Sequence, residues 1–174
     1  MQKVNSLVHK TLLHVGCGGD QLPSYCSQYK EIRLDISETN KPDIVANMTN
    51  MGDIGEFDAV FCQHALEHLH PHEVPVALSE FRRVLKTGGS AMVFVPDLED
   101  VRPTEEVVLQ SPAGPITGLD MIYGYRKVLK EHPHMAHNTG FIEETLNKAF
   151  VDAGFSKVLT KRMGNYNLMA VGQK

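Results

Sequence analysis

A chain of 174 residues, 42% hydrophobic and 22% charged, suits one domain with a single core, taken here as residues 1–174. A net charge of −4 leaves no basic footprint, which argues against nucleic acid as an obligatory partner. No apolar run approaches the roughly 18 residues that a membrane span needs, and residues 1–10 lack the apolar centre of a leader, so a cytoplasmic chain without membrane contact is expected.

In chain order, Leu12, Leu13 and Val15 make a short apolar run that ends in Gly16, Cys17, Gly18 and Gly19. A buried strand that stops in glycines lets the backbone turn sharply and approach a ligand, because glycine tolerates positive φ and carries no Cβ. That pattern reads as a nucleotide-type cofactor site. Residues 22–28 have room for only a short helix beyond Pro23. A strand over 31–36 places Asp35 at its carboxyl end, and Pro42 opens a third short strand over 43–46.

Residues 57–62 are apolar apart from Asp58 and suit a strand buried on both faces. Over 73–86, Val74, Ala77, Leu78, Phe81 and Leu85 fall at helical spacing, and Gly88 and Gly89 are expected to stop that helix with a left-handed cap. A buried strand over 91–95 follows, closed by Pro96 and Asp97. Residues 98–140 break this rhythm with four prolines and several glycines; two helices, over 104–110 and 119–131, are expected in what reads as an inserted substrate cover. Helical spacing returns over 141–153 and ends at Gly154. Strands over 156–161 and 167–171 are joined too closely for a crossover and should pair antiparallel. Cys17, Cys26 and Cys62 show no C-x-x-C spacing and read as free thiols.

LLHVGCGG at 12–19, RLDI at 33–36, DIVANM at 43–48, FDAVFCQHALEHL at 57–69 and SEFRRVLKTGGSAMVFVPDL at 79–98, in that order, resemble the class I S-adenosylmethionine-dependent methyltransferases, in particular the small type 11 group. The resemblance implies an α/β, three-layer Rossmann-like fold with a seven-stranded, mostly parallel sheet of order 3-2-1-4-5-7-6 and an antiparallel strand 7. It implies S-adenosylmethionine as cofactor and methyl transfer to a small polar molecule. The implied cofactor set is His14, Gly16, Cys17, Gly18, Gly19, Asp35, Ile36, Asn47, Met48 and Gln63. Backbone amides of the glycine turn would reach the methionine portion, Asp35 the ribose hydroxyls, Ile36 and Met48 the adenine faces and the Asn47 oxygen its exocyclic amine. His14 stands where the family often has a carboxylate, Asn47 where it often has Asp, and Asp20 in place of the third glycine.

His64 ends the fourth strand, and His137 precedes the helix over 141–153 in a second histidine cluster with His132 and His134; these two are the candidates for orienting or deprotonating an acceptor. His64 to His68 also spells H-x-x-E-H, but a zinc protease needs that motif on a helix with a distant third ligand, and here it directly follows a strand; no metal is expected. A catalytically silent member of the same fold is the competing reading. A nicotinamide dehydrogenase ranks below both, because no sixth-position glycine opens a long helix after Gly16.

Overall fold

The computed structural model describes residues 10–174, so the expectation about a leader over residues 1–10 lies, Lys10 apart, outside the described residues. Five parallel strands come first: β1 (Lys10–Val15), β2 (Tyr29–Asp35), β3 (Ile44–Val45), β4 (Phe57–Gln63) and β5 (Leu85–Pro96), with helix α1 (Val74–Arg83) between the last two. After them come β6 (Val107–Ser111), β7 (Gly114–Thr117), α2 (Gly118–Tyr123), α3 (Glu143–Asp152), β8 (Ser156–Gly164) and β9 (Asn167–Gln173). The main sheet has the order β3-β2-β1-β4-β5-β9-β8, and β9 runs antiparallel to both neighbours. With the separate β6–β7 pair set aside, this is the expected 3-2-1-4-5-7-6 sheet with its seventh strand reversed. Among the described residues, no helix is long and apolar enough to cross a membrane.

Alternation along the strands sorts side chains onto two unequal faces. Leu13, Val15, Leu34, Val60, Cys62 and Val93 point to the face covered by α1 and α3, whose Ala77, Leu78, Phe81, Leu146 and Phe150 complete the main core. Full burial of each of those phenylalanines is worth roughly 2–3 kcal/mol. The opposite face carries a smaller cluster of Leu12, Ala59 and Phe61, packed with Cys26 and with half-buried Leu22, Met92 and Phe94. The third layer is therefore thin: among the described residues it is reduced to the single turn of 3-10 helix at Ser24–Cys26, the short helix expected over 22–28.

Four local expectations change. The helix over 73–86 ends at Arg83 with a right-handed Val84 cap, because Leu85 already pairs with Phe57; Gly88, at φ 80°, turns the chain inside β5 instead. The helix expected over 104–110 is the hairpin strand β6, since Val107, Val108 and Leu109 favour a pleated pairing with β7. The helix over 119–131 is only α2, opened by a Thr117–Asp120 capping box and stopped at Gly124. The closing hairpin is tighter than expected, with Asn165 and Tyr166 at φ 50° and 55° forming the two-residue turn that matches strand twist.

Candidate functional site

Ligands of open α/β sheets collect at the carboxyl ends of the parallel strands, near the point where the strand order reverses. Here β1, β2, β3 and β4 all end around one cavity of about 420 Å³. Gly16 and Cys17 leave β1 with their N–H groups donating to the Leu34 carbonyl at 2.9 and 3.2 Å, which bends the turn over the end of β2. Gly16 sits at φ 63°, and a Cβ there would lie 2.5 Å from the Ala65 Cβ, so only glycine lets the turn close against the segment after β4.

Eight of the ten residues expected to hold a cofactor line this cavity: Gly16, Gly18, Gly19, Asp35, Ile36, Asn47, Met48 and Gln63. Asp35 ends β2 with Oδ2 accepting from Gly18 N–H at 2.8 Å and Oδ1 accepting from Ser37 N–H at 2.9 Å. A carboxylate has about four acceptor positions, so two stay open to a ligand. Ile36 is 66% exposed, an apolar side chain that finds no cover within the protein. Asn47 departs from expectation in detail: its Oδ1 already accepts from both Thr49 N–H and Thr49 Oγ1, each at 2.9 Å, so its free capacity is the amide donor.

His14 and Cys17 do not line the cavity. Cys17 is buried within the turn, and all three cysteines are free and buried. His14 points to the thin-layer face, 1% exposed, edge-on to Phe61 at 5.3 Å between ring centres and with Nδ1 2.7 Å from Glu31 Oε1. Burial lowers its pKa, and the Glu31 hydrogen bond only partly offsets that. Strand alternation explains the miss: Leu13 and Val15 face the core, so His14 between them must face the other way. Sequence reasoning also passed over Arg33, whose guanidinium donates to the carbonyls of Gly18 and Asp20, both at 2.7 Å, and so clamps the turn from beneath.

The cavity's far wall comes from the H-x-x-E-H segment and the insertion. His64 N–H donates to the Phe94 carbonyl at 2.9 Å, and the residue then adopts φ 50°, an uncommon left-handed conformation that histidine tolerates better than most side chains. That kink throws the chain into a 3-10 turn at Leu66–His68, so His64 and His68 do not share a long helix as a zinc protease would require. His64 and His68 line the cavity together with His134 and Met135 from the insertion. On their other side lies a second cavity of about 290 Å³, bounded by His137, Tyr125, Tyr166 and Asn167. His64, His68 and Met135 thus form a shared wall.

Burial alone would depress the His64 pKa, but the hydrogen bond and charge of Glu67, 3.5 Å from Nδ1, raise it above the usual histidine value. His137 behaves oppositely: burial lowers its pKa more than the nearby Glu67 charge restores. His132 stacks edge-on with His134 at 5.8 Å and lies outside both cavities, as do His70 and His72.

The sequence pattern of the family described as "Methyltransferase domain" matches residues 13–93, just under half of the chain. A curated relative, "Probable methyltransferase ltbC" of Aspergillus luteorubrus, is 32% identical over 105 residues, which cover 45% of this chain and 37% of the relative. Among solved structures, an O-methyltransferase family protein from Burkholderia thailandensis superposes with a TM-score of 0.63 at 16% identity, over 95% of this chain and 51% of that one. Human N-acetylserotonin methyltransferase in complex with SAM superposes with a TM-score of 0.66 at 14% identity, over 95% of this chain and 47% of that one. The chain thus spans about a third of the curated relative and about half of these two structures.

Proposed function

We propose that this chain, which has the fold of the class I methyltransferases and carries the methyltransferase domain pattern over residues 13–93, binds S-adenosylmethionine and methylates a small polar acceptor. The observation that carries this reading is the convergence of Gly16, Gly18, Asp35, Ile36 and Met48 on one cavity at the ends of β1 to β3. In it, amides of the glycine turn meet the methionine portion, the two open acceptor positions of Asp35 take the ribose hydroxyls, and Ile36 and Met48 cover the adenine. The Asn47 amide serves as a donor toward the base.

When bound, the cofactor supplies an already activated sulfonium methyl, so the chain's task is proximity and alignment. His64 belongs to the wall between the two cavities and faces an acceptor held in the smaller one, where it orients or deprotonates the nucleophile. Tyr125, Tyr166 and Asn167 give that smaller cavity hydroxyl and amide groups suited to a polar acceptor. The net charge of −4 favours such a molecule over nucleic acid, and free buried thiols suit a reducing, cytoplasmic setting.

Calorimetry with S-adenosylmethionine and S-adenosylhomocysteine tests the first half of the reading, and S-adenosylhomocysteine release across a panel of small phenols, carboxylic acids and amines tests the second. Saturable binding with turnover of one acceptor class is expected. Failure to bind either nucleoside removes the reading; binding without any turnover supports the catalytically silent alternative.

A further inference from the structure

The H-x-x-E-H segment gains a partner that is distant in sequence. Residues 138 and 139 are stitched to residues 67–69 by four hydrogen bonds. Asn138 N–H and Thr139 N–H donate to the Glu67 carbonyl at 2.9 and 3.1 Å, Asn138 Nδ2 donates to the His68 carbonyl at 2.8 Å, and Thr139 Oγ1 donates to the Leu69 carbonyl at 2.6 Å. His137 is thereby held beside Glu67 and His68, and one donor atom from each of the three lies within 4.8 Å of the others.

Two further observations point to a ligand. Glu67 is 2% exposed, and its Oε2 has no hydrogen-bond partner, an expensive state for a carboxylate oxygen inside a protein. Both imidazoles are oriented alike. His68 Nδ1 lies 3.0 Å from the Ala136 carbonyl and His137 Nδ1 lies 2.9 Å from the Met121 carbonyl. A carbonyl only accepts, so each Nδ1 is the donor, and Nε2 is the ring nitrogen left to offer a lone pair to a metal. Metal-ligating histidines are characteristically fixed in this way, by donation of the other ring N–H to a carbonyl or carboxylate.

We infer that Glu67, His68 and His137, all of which line the smaller cavity, form a binding site for a divalent first-row transition-metal ion. Two imidazoles and one carboxylate suit such an ion, which these donors bind at about 2.0–2.2 Å. Three protein ligands leave at least one coordination position open, as in sites that act on a substrate rather than closed structural ones. All three residues line the smaller cavity, so an ion held there would anchor an acceptor through an oxygen donor. This role rests on the methyl-transfer reading, whereas metal binding does not. It also replaces the acid–base role expected for His137 with that of a ligand.

The test is titration of tag-free, chelator-treated protein with Co²⁺ and with Zn²⁺ alone, followed by visible absorption and calorimetry in the absence of any nucleoside. One equivalent of Co²⁺ is expected, with ligand-field bands that Zn²⁺ displaces. His68→Ala, His137→Ala and Glu67→Gln should each weaken binding at least tenfold, while a His70→Ala/His72→Ala variant binds as the unaltered chain does. His137→Gln, which keeps bulk at the site, gives the same loss should His137→Ala fail to fold. No stoichiometric binding overturns the inference, and so does binding that survives loss of His68 and His137 or disappears with His70 and His72.

Discussion

Replacing Asp35 by Ala removes two kinds of contact whose effects separate. Its carboxylate accepts from the backbone N–H groups of Gly18 and Ser37 at 2.8 and 2.9 Å and, under the proposed function, also from both ribose hydroxyls. Hydrogen bonds to a charged group contribute about 1.5–3 kcal/mol each, and the two to ribose are partly repaid by water once the carboxylate is gone. A net loss of about 2–3 kcal/mol in cofactor affinity follows, roughly a 30- to 150-fold rise in Kd. Asp35→Asn keeps one acceptor oxygen and should fall between the two. Calorimetric titration with S-adenosylhomocysteine reads the affinity, and urea unfolding without ligand reads the cost of freeing the glycine turn. Affinity within twofold of the unaltered chain in Asp35→Ala would refute the ribose assignment, whatever the stability change.

Gly16→Ala and Gly18→Ala both place a side chain at positive φ, but only the first meets a neighbour, the Ala65 Cβ at 2.5 Å; nothing lies within 4 Å of the second. Strain alone costs about 1–2 kcal/mol and overpacking adds about 1–3 kcal/mol, so urea midpoints should rank Gly16→Ala well below Gly18→Ala, and equal midpoints would contradict the packing at Ala65. His64→Asn, a residue that tolerates φ 50°, should bind the cofactor within about threefold of normal yet lose at least tenfold in turnover of an acceptor found by the panel; full turnover removes His64 from the reaction. Burial opposes ionisation of Asp120, but hydrogen bonds from Thr117 and Arg126 win and lower its pKa to about 2. Its folded value lies below the unfolded one, so it adds stability, about 2 kcal/mol, above roughly pH 4 and loses it as pH falls toward about 2. Asp120→Asn should therefore differ from the unaltered chain at neutral pH and converge on it near pH 2; a pH-independent difference in urea midpoint would show that the ion pair is not the source.

Most of the sheet was legible because its strands are short apolar runs bounded by glycine, proline or acidic residues, and the spacing of Leu13, Val15, Val60 and Val93 reflects burial directly. The cavity-lining residues were legible because they follow those strand ends at once. What stayed hidden depends on contacts between distant segments. The pairing of Leu85 with Phe57 cut the helix short, β6 formed because β7 was there to pair with it, and His137 reached Glu67 through backbone bonds that no local pattern encodes. His14 was misread for a different reason, since a resemblance carries a position forward without asking which face of the strand it occupies.

That face explains how the turn can work without a helix behind it. A glycine turn ordinarily gains direction from the helix it opens, yet after Gly16 this chain has only the 3-10 turn at Ser24–Cys26. Its place is taken by charge: Arg33 holds the Gly18 and Asp20 carbonyls, Glu31 accepts from Arg33 at 3.2 Å, and His14 on the thin-layer face reaches the same Glu31 oxygen at 2.7 Å. A carboxylate at position 14 would face Glu31 across that distance and repel it, releasing Arg33 and, with it, the turn. A neutral histidine can donate to Glu31 while packing against Phe61, so the residue that departs from the family pattern is the one that this helix-free connection requires.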